Sequence, residues 1–253
     1  MKNILVVGGA SGIGAVLVQS LLERNVGYRV GEKTSDKIIN LDIRPNENGN
    51  QSTTEIGVNV HNIFCDLSFD SSIRTAIDQL KEYVFDEVYY CAGIAEPPTD
   101  SLKSDYEFIN NITAINSTSV PKILSSINVR KGGAILILSS AHSKRAAALN
   151  PIYSATKGFL DAFVVSYSKS LIDQHKKSGH PLVRINAVNP EMVDTPLIRN
   201  LFLGQDEKLA QVTKTRILGR LLSSQEVVNT CLFLNSDSAS GITGETVAIG
   251  GKI

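Results

Sequence analysis

Between a short β-branched run, Asn3 to Val7, and the helically spaced Val16, Leu17, Leu21 and Leu22 lies Gly8-Gly9-Ala10-Ser11-Gly12-Ile13-Gly14. Few chain paths satisfy that order: the backbone must leave a strand, turn sharply and re-enter as a helix within a few residues. Gly8, Gly12 and Gly14 permit the turn and let the main chain approach a bound group closely. The free amides and positive dipole end of the following helix then face that group's charge, which suits a pyrophosphate. Glycine-rich loops are common; this one is informative because it stands between a first strand and an amphipathic helix. It lacks a Gly-Lys-Ser or Gly-Lys-Thr ending, so the phosphate-binding loop of nucleotide hydrolases is disfavoured and a nucleotide ligand of another kind is indicated.

The same alternation continues along the chain. Strands are predicted at Lys37 to Ile43, Val58 to Phe64, Glu87 to Tyr90, Gly133 to Leu138, Val183 to Val188 and Gly244 to Gly250. Helical periodicity fills the gaps: Ile73, Ile77 and Leu80; Asp105 to Asn128 with a kink at Pro121; the segment from Tyr153 to Leu171; and Gln225 to Leu234. An amphipathic, mobile segment, Leu197 to Gln211, is placed to cover a substrate, and Pro45 to Glu55 is an exposed polar loop. No repeat or linker interrupts the series, so residues 1–253 are expected to form one α/β domain. A chain of 253 residues, 42% hydrophobic, can bury one large core.

Lys plus Arg equal Asp plus Glu at 25 each, which gives no global field to attract nucleic acid or an anionic membrane. Cys65, Cys91 and Cys231 are scattered and odd in number, as for reduced thiols, and neither they nor His61, His175 and His180 have metal-ligand spacing, so no metal is expected. Without a signal-peptide core or a run near the ~20 residues of a membrane span, a soluble, cytoplasmic protein is expected.

Ligands of an open parallel sheet sit at the carboxyl ends of its strands. Asp42 closes the second strand, where a carboxylate can accept ribose hydroxyls and repel a 2′-phosphate. It follows Gly14 by 28 residues, more than the usual ~20, which implies an insertion over Tyr28 to Asp36. The other placement puts the strand at Gly27 to Glu32 with Lys33 near the ribose, but Lys37 to Ile43 has the better strand composition. Asp66 and Leu67 follow the next strand, as a helix-capping segment, as neighbours of an adenine, or as both. Small residues in Cys91-Ala92-Gly93 allow close approach to a cofactor, and Ser139-Ser140 end the strand that precedes Tyr153.

Tyr153 and Lys157 are four residues apart, so on a helix the phenol and the ammonium share a face. A phenol of pKa ~10 is a poor acid or base at neutral pH, and a fixed cation lowers that value. Such a pair is ordinary on helix surfaces; its neighbours give it meaning. Asn111 lies within an apolar helical pattern, where burial would require hydrogen-bond partners. His142 is read as a polar loop residue in preference to a wall of the pocket.

With these motifs in hand, the sequence resembles the short-chain dehydrogenase/reductase family over almost its whole length. Gly8, Gly12 and Gly14 match its glycine motif, Cys91-Ala92-Gly93 its Asn-Ala-Gly segment, and Asn111, Ser140, Tyr153 and Lys157 its catalytic four. Pro190 and Thr195 match the loop that relatives place against the nicotinamide, and Gly219-Arg220 with Gly244 the carboxyl-terminal pattern. The resemblance implies a single-domain Rossmann-type doubly wound parallel sheet with helices on both faces. It also implies cofactor contacts from Gly8, Ser11, Gly12, Ile13, Gly14, Asp42, Asp66, Leu67, Ala92, Gly93, Tyr153, Lys157, Pro190, Val193 and Thr195.

In the implied chemistry Tyr153 is the acid/base, Ser140 polarises the substrate oxygen, Lys157 lowers the Tyr153 pKa and holds the nicotinamide ribose, and Asn111 fixes the helix. The thirteen-residue spacing from Ser140 to Tyr153 is the family's, and Ser139 would face the other way. Val7, Cys91 and Glu191 depart from the family's Thr, Asn and Gly; Glu191 bears on the shape and charge of the site. NAD is expected over NADP, because of Asp42 and because neutral Ser11 precedes Gly12 where NADP-dependent relatives often carry a cation; Arg44 is the contrary feature. The implied function is interconversion of a secondary alcohol and a ketone, in a homotetramer or homodimer. An NADPH-dependent 3-oxoacyl thioester reductase and a non-catalytic dinucleotide sensor are the alternatives.

Overall fold

The computed structural model describes residues 1–27, 36–44, 51–53, 59–96, 105–145 and 150–251. Strand β1 (Asn3–Val7) runs into helix α1 (Gly12–Gly27) through the glycine turn. After it come β2 (Lys37–Asp42), β3 (Gln51–Thr53), β4 (Asn59–Phe64), α2 (Asp70–Leu80) and β5 (Val84–Tyr90). The second half holds α3 (Tyr106–Thr113), α4 (Ser119–Leu124), β6 (Asn128–Leu138), α5 (Pro151–Ser178) and β7 (Arg184–Pro190). It closes with α6 (Pro196–Leu201), α7 (Asp206–Lys214), α8 (Ser224–Asn235) and β8 (Thr246–Ile249).

The strands form one sheet in the order β3-β4-β2-β1-β5-β6-β7-β8, parallel throughout except where β3 pairs antiparallel with β4. Strand order grows in opposite directions from β1, as in a doubly wound Rossmann-type sheet, and the reversal opens a crevice at the carboxyl ends of β1 and β5. Side-chain alternation explains the two helical layers. Leu5 and Val7 of β1, with Ile135 and Ile137 of β6, join the core beneath α2, α4 and α5. Ile4, Val6, Leu136 and Leu138 face the opposite way, against α1 and α8.

The second strand lies where its composition puts it, and the alternative around Lys33 falls outside the described residues. Two expectations need correction. The polar stretch read as a loop contributes β3, whose short Gln-Ser-Thr segment has too little apolar character to signal a strand. The helix from Asp105 is interrupted by a π-helical turn at Ala114–Thr118, between α3 and α4. Pro121 has no N–H to offer the carbonyl of Ser117 and its ring crowds that carbonyl, so the irregularity falls ahead of the proline. Ile127 lies beyond α4, outside the helix to which periodicity assigned it.

Candidate active site

A cavity of about 350 Å³ opens along the carboxyl ends of the strands. One end is built by the glycine turn. A Cβ on Gly8 (φ +87°) would fall 2.6 Å from the Ala92 backbone, and one on Gly14 would fall 2.0 Å from the Gly8 carbonyl oxygen. Only glycine lets the turn pass this close to the end of β5 and to its own helix. Asp42, at the end of β2, accepts from the Ala10 N–H through Oδ2 (2.9 Å) and from the Arg44 N–H through Oδ1 (3.0 Å). Asp66 accepts from the Ser68 N–H and hydroxyl (2.9 and 2.6 Å). Both carboxylates line the cavity with Ser11, Gly12, Ile13, Leu67 and Arg44. This end presents a glycine cradle at a helix N-terminus with carboxylates beyond it, which fits a dinucleotide.

At the other end, Ser140, Tyr153 and Lys157 meet on the cavity wall. Strand β6 delivers Ser139 and Ser140 with opposite orientations: the Ser139 hydroxyl donates to the Lys157 carbonyl (3.2 Å), whereas the Ser140 hydroxyl accepts from the His142 N–H (3.2 Å) and stands near enough to the Tyr153 phenol to act on its pKa. Helix α5 starts at Pro151, so Tyr153 lies in its first turn and Lys157 one turn later. The start is held from outside the helix: Glu96 Oε2 accepts the Tyr153 N–H (2.8 Å), and Asn150 Nδ2 donates to the Glu96 carbonyl (2.7 Å).

Burial raises the Tyr153 pKa and the Ser140 hydroxyl draws it part of the way back. Lys157 is pushed down to about 8 by burial, against Cys91 and Asp161, which raise it. The expected depression of the tyrosine by the lysine is therefore absent in this state. Lys157 Nζ donates to the Leu138 carbonyl (3.0 Å) and stands 5.7 Å from the Tyr153 ring centre. Ala92, Gly93, Pro190, Val193 and Thr195 also line the cavity.

Asn111 is the misplaced member of the expected four. It lies on α3 and does not line the cavity, while Asn116, in the π-helical turn, is fully buried beside Gly93. Asn116 Oδ1 accepts from the Ile94 N–H (2.8 Å), and Nδ2 donates to the Ile94 carbonyl (2.9 Å) and the Thr156 hydroxyl (3.3 Å). A Cβ on Gly93 would lie 3.4 Å from Asn116 Oδ1 and 3.5 Å from Lys157 Nζ, so the two side chains flank the same backbone. The available signal was Asn116-Ser117 interrupting the apolar series Ile112, Ile115, Val120 and Ile123.

His142 also departs from expectation, since it lines the cavity with its ring edge-on to Tyr153 (centroids 5.7 Å apart). Burial, Arg216 and Arg145 lower its pKa. Glu191 borders the same region and pairs with Arg145 and with Arg216 (3.1 Å). Met192 and, from α6, Leu197, Ile198 and Leu201 give the substrate end an apolar side. Among the described residues, no group of three or more His, Cys, Asp or Glu side chains could hold a metal ion, and no helix is long and apolar enough to cross a membrane.

Residues 8–251 match the family model described as enoyl-(acyl carrier protein) reductase. The 3-oxoacyl-(acyl-carrier-protein) reductase FabG of Escherichia coli (strain K12) is 27% identical over 258 residues, covering 99% of this chain and 96% of its own. Among solved structures, a short chain dehydrogenase family protein from Francisella tularensis aligns with a TM-score of 0.84 at 27% identity, over 98% of this chain and 97% of its own. The fold is shared as well by a 4-hydroxyisoleucine dehydrogenase complexed with NADH, at a TM-score of 0.80 and 23% identity over 99% and 98% of the two chains. A match over nearly the whole chain makes this protein a member of the short-chain dehydrogenase/reductase family, an oxidoreductase of CH–OH substrates that uses a nicotinamide dinucleotide.

Proposed function

We propose that the protein is an NAD(H)-dependent oxidoreductase that interconverts a secondary alcohol and a ketone. The convergence of Ser140, Tyr153 and Lys157 in one cavity with Asp42 at its far end carries this reading. The nicotinamide, when bound, supplies or accepts the hydride. Tyr153, whose pKa burial raises, gives its proton to a carbonyl oxygen in reduction and is left as the phenolate; in oxidation the phenolate, beside the Lys157 cation, takes the proton of the alcohol. Ser140 hydrogen-bonds the same oxygen and stabilises its developing charge. Lys157 provides a cation beside the ring and a donor for the nicotinamide ribose, and Asn116 takes the place assigned to Asn111 by holding the backbone at Ile94. Gly8, Ser11, Gly12, Ile13 and Gly14 would hold the pyrophosphate, Asp66 and Leu67 the adenine, and Ala92, Gly93, Pro190, Val193 and Thr195 the nicotinamide half.

The NAD preference rests on Asp42, whose carboxylate would meet a 2′-phosphate at close range, and on neutral Ser11. A second reading, an NADPH-dependent 3-oxoacyl thioester reductase, is favoured by Arg44 on the cavity wall and by the likeness to FabG. Free thiols at Cys65, Cys91 and Cys231 support a cytoplasmic setting, and we expect a homotetramer or homodimer. The test is to supply NAD or NADP with a panel of secondary alcohols, and NADH or NADPH with ketones and a 3-oxoacyl thioester, following absorbance of the reduced cofactor. Higher kcat/KM with NAD(H), lost in Asp42→Ala, is expected. A wild-type preference for NADP(H) supports the second reading, and binding without turnover across the panel supports a sensor.

A further inference from the structure

Helix α5 carries a second buried ionisable side chain, Asp161, one turn beyond Lys157. Its Oδ2 accepts from the Ser143 hydroxyl (2.7 Å) and from Asn189 Nδ2 (2.8 Å). That same Asn189 amide reaches the Ser140 carbonyl (3.2 Å) and the Ser143 hydroxyl (2.7 Å). The Ser140 carbonyl and a carboxylate can only accept, so they fix which end of the Asn189 amide faces them. Three elements are thereby tied at one point: the catalytic helix, the turn after Ser140 and the end of β7. Asp161 Oδ1 is buried and, among the described residues, has no hydrogen-bond partner. A buried carboxylate with an unpaired oxygen is costly and calls for a cation nearby.

We propose that Asp161 is a positioning residue of this site: it fixes the Ser140 turn through Ser143 and Asn189, and its charge keeps the buried ammonium of Lys157 protonated. The inference takes Ser140 and Lys157 as working groups, as in the reading above. Of the other titratable groups facing Lys157, Cys91 at the end of β5 is pushed up to about 12 by burial and is a neutral thiol at neutral pH. The Tyr153 phenol is likewise neutral, and Glu96 accepts from the Tyr153 amide at the start of α5. Among the described residues, Asp161 is then the carboxylate that opposes the effect of burial on Lys157.

Asp161→Asn keeps an oxygen acceptor for Ser143 and Asn189 but removes the charge; Asp161→Ala removes both. The decisive readout needs neither cofactor nor substrate: the protein is labelled with 13Cε-lysine, the Lys157 resonance is assigned with Lys157→Arg, and its titration is followed by NMR. In Asp161→Asn the Lys157 midpoint should move to lower pH than in wild type. An unmoved or raised midpoint overturns the proposal. With any alcohol that the wild type oxidises, Asp161→Ala should lose roughly tenfold or more in kcat with little change in KM, and Asp161→Asn should recover most of it only at pH below its own lowered Lys157 midpoint, where Lys157 is charged. Wild-type kcat in Asp161→Ala contradicts the positioning role. If that variant does not fold, the asparagine variant decides through the lysine titration. Failure of the wild type to turn over any alcohol counts against the proposed function and leaves the lysine titration valid as the test of Asp161.

Discussion

Asn111 and Asn116 stand five positions apart, each next to an apolar residue, and the resemblance matches only Asn111 to the family's motif. What separates them is the π-helical turn, which rotates Asn116 toward Ile94, and a local backbone irregularity of that kind leaves only a weak trace in a sequence. The two positions give opposite expectations. Asn116→Ala removes the acceptor of the part-buried Ile94 N–H and should cost ~1–3 kcal/mol in denaturant unfolding, with loss of activity. Asn111→Ala should change stability by no more than ~0.5 kcal/mol and keep activity. Equal effects would remove the distinction. The meeting of Ser140, Tyr153 and Lys157 in one cavity was legible because a strand end and one helical turn bring them together. The state of Tyr153 was not legible, since it depends on burial, which no spacing encodes.

Glu87 on β5 shows how elements are locked together below the site. It is 2% exposed and binds Lys2, which precedes β1 (2.9 Å), Arg24 of α1 (3.2 Å) and the Tyr89 hydroxyl (2.7 Å). Burial raises its pKa, but Arg24 and Lys2 outweigh burial and hold it below the usual glutamate value. Because the folded-state pKa is lowered, the stabilisation is present above the unfolded value of 4.5 and is lost as pH falls below it. Glu87→Gln leaves two partly exposed cations facing a neutral side chain and should cost ~1–3 kcal/mol at pH 7 in urea unfolding, with the gap to wild type narrowing in acid. A neutral effect at pH 7 would show that the network is idle. Most elements were readable from periodicity, including β2 after its insertion. The exceptions were β3, too short and polar to show a period, and the turn imposed ahead of Pro121.

Across the whole molecule, strand order could be anticipated from the resemblance, because a glycine turn after the first strand puts that strand at the reversal point of the sheet. The far wall of the cavity could be anticipated only in part: Glu191 and the segment from Leu197 are expected near the site from the sequence and line it, whereas the arrival of Glu96 and His142 depends on loop paths. One face of α5 remains uncovered in the single chain. Phe159 and Val165 are 40% and 41% exposed, and Phe159, Phe163 and Tyr167 stack in series along the helix. A second copy of the chain is the expected cover, so sedimentation at micromolar concentration should give a tetramer or a dimer. A stable monomer would count against that reading. The central claim is that this molecule moves hydride and uses Tyr153 to move the accompanying proton. Wild type and Tyr153→Phe are therefore compared for NADH binding by fluorescence and for NADH production from the same alcohol. The account predicts matching NADH affinity and a fall in turnover of ~10²–10⁴ for the phenylalanine variant. Equal turnover by the two proteins, or no NADH binding to either, would contradict it.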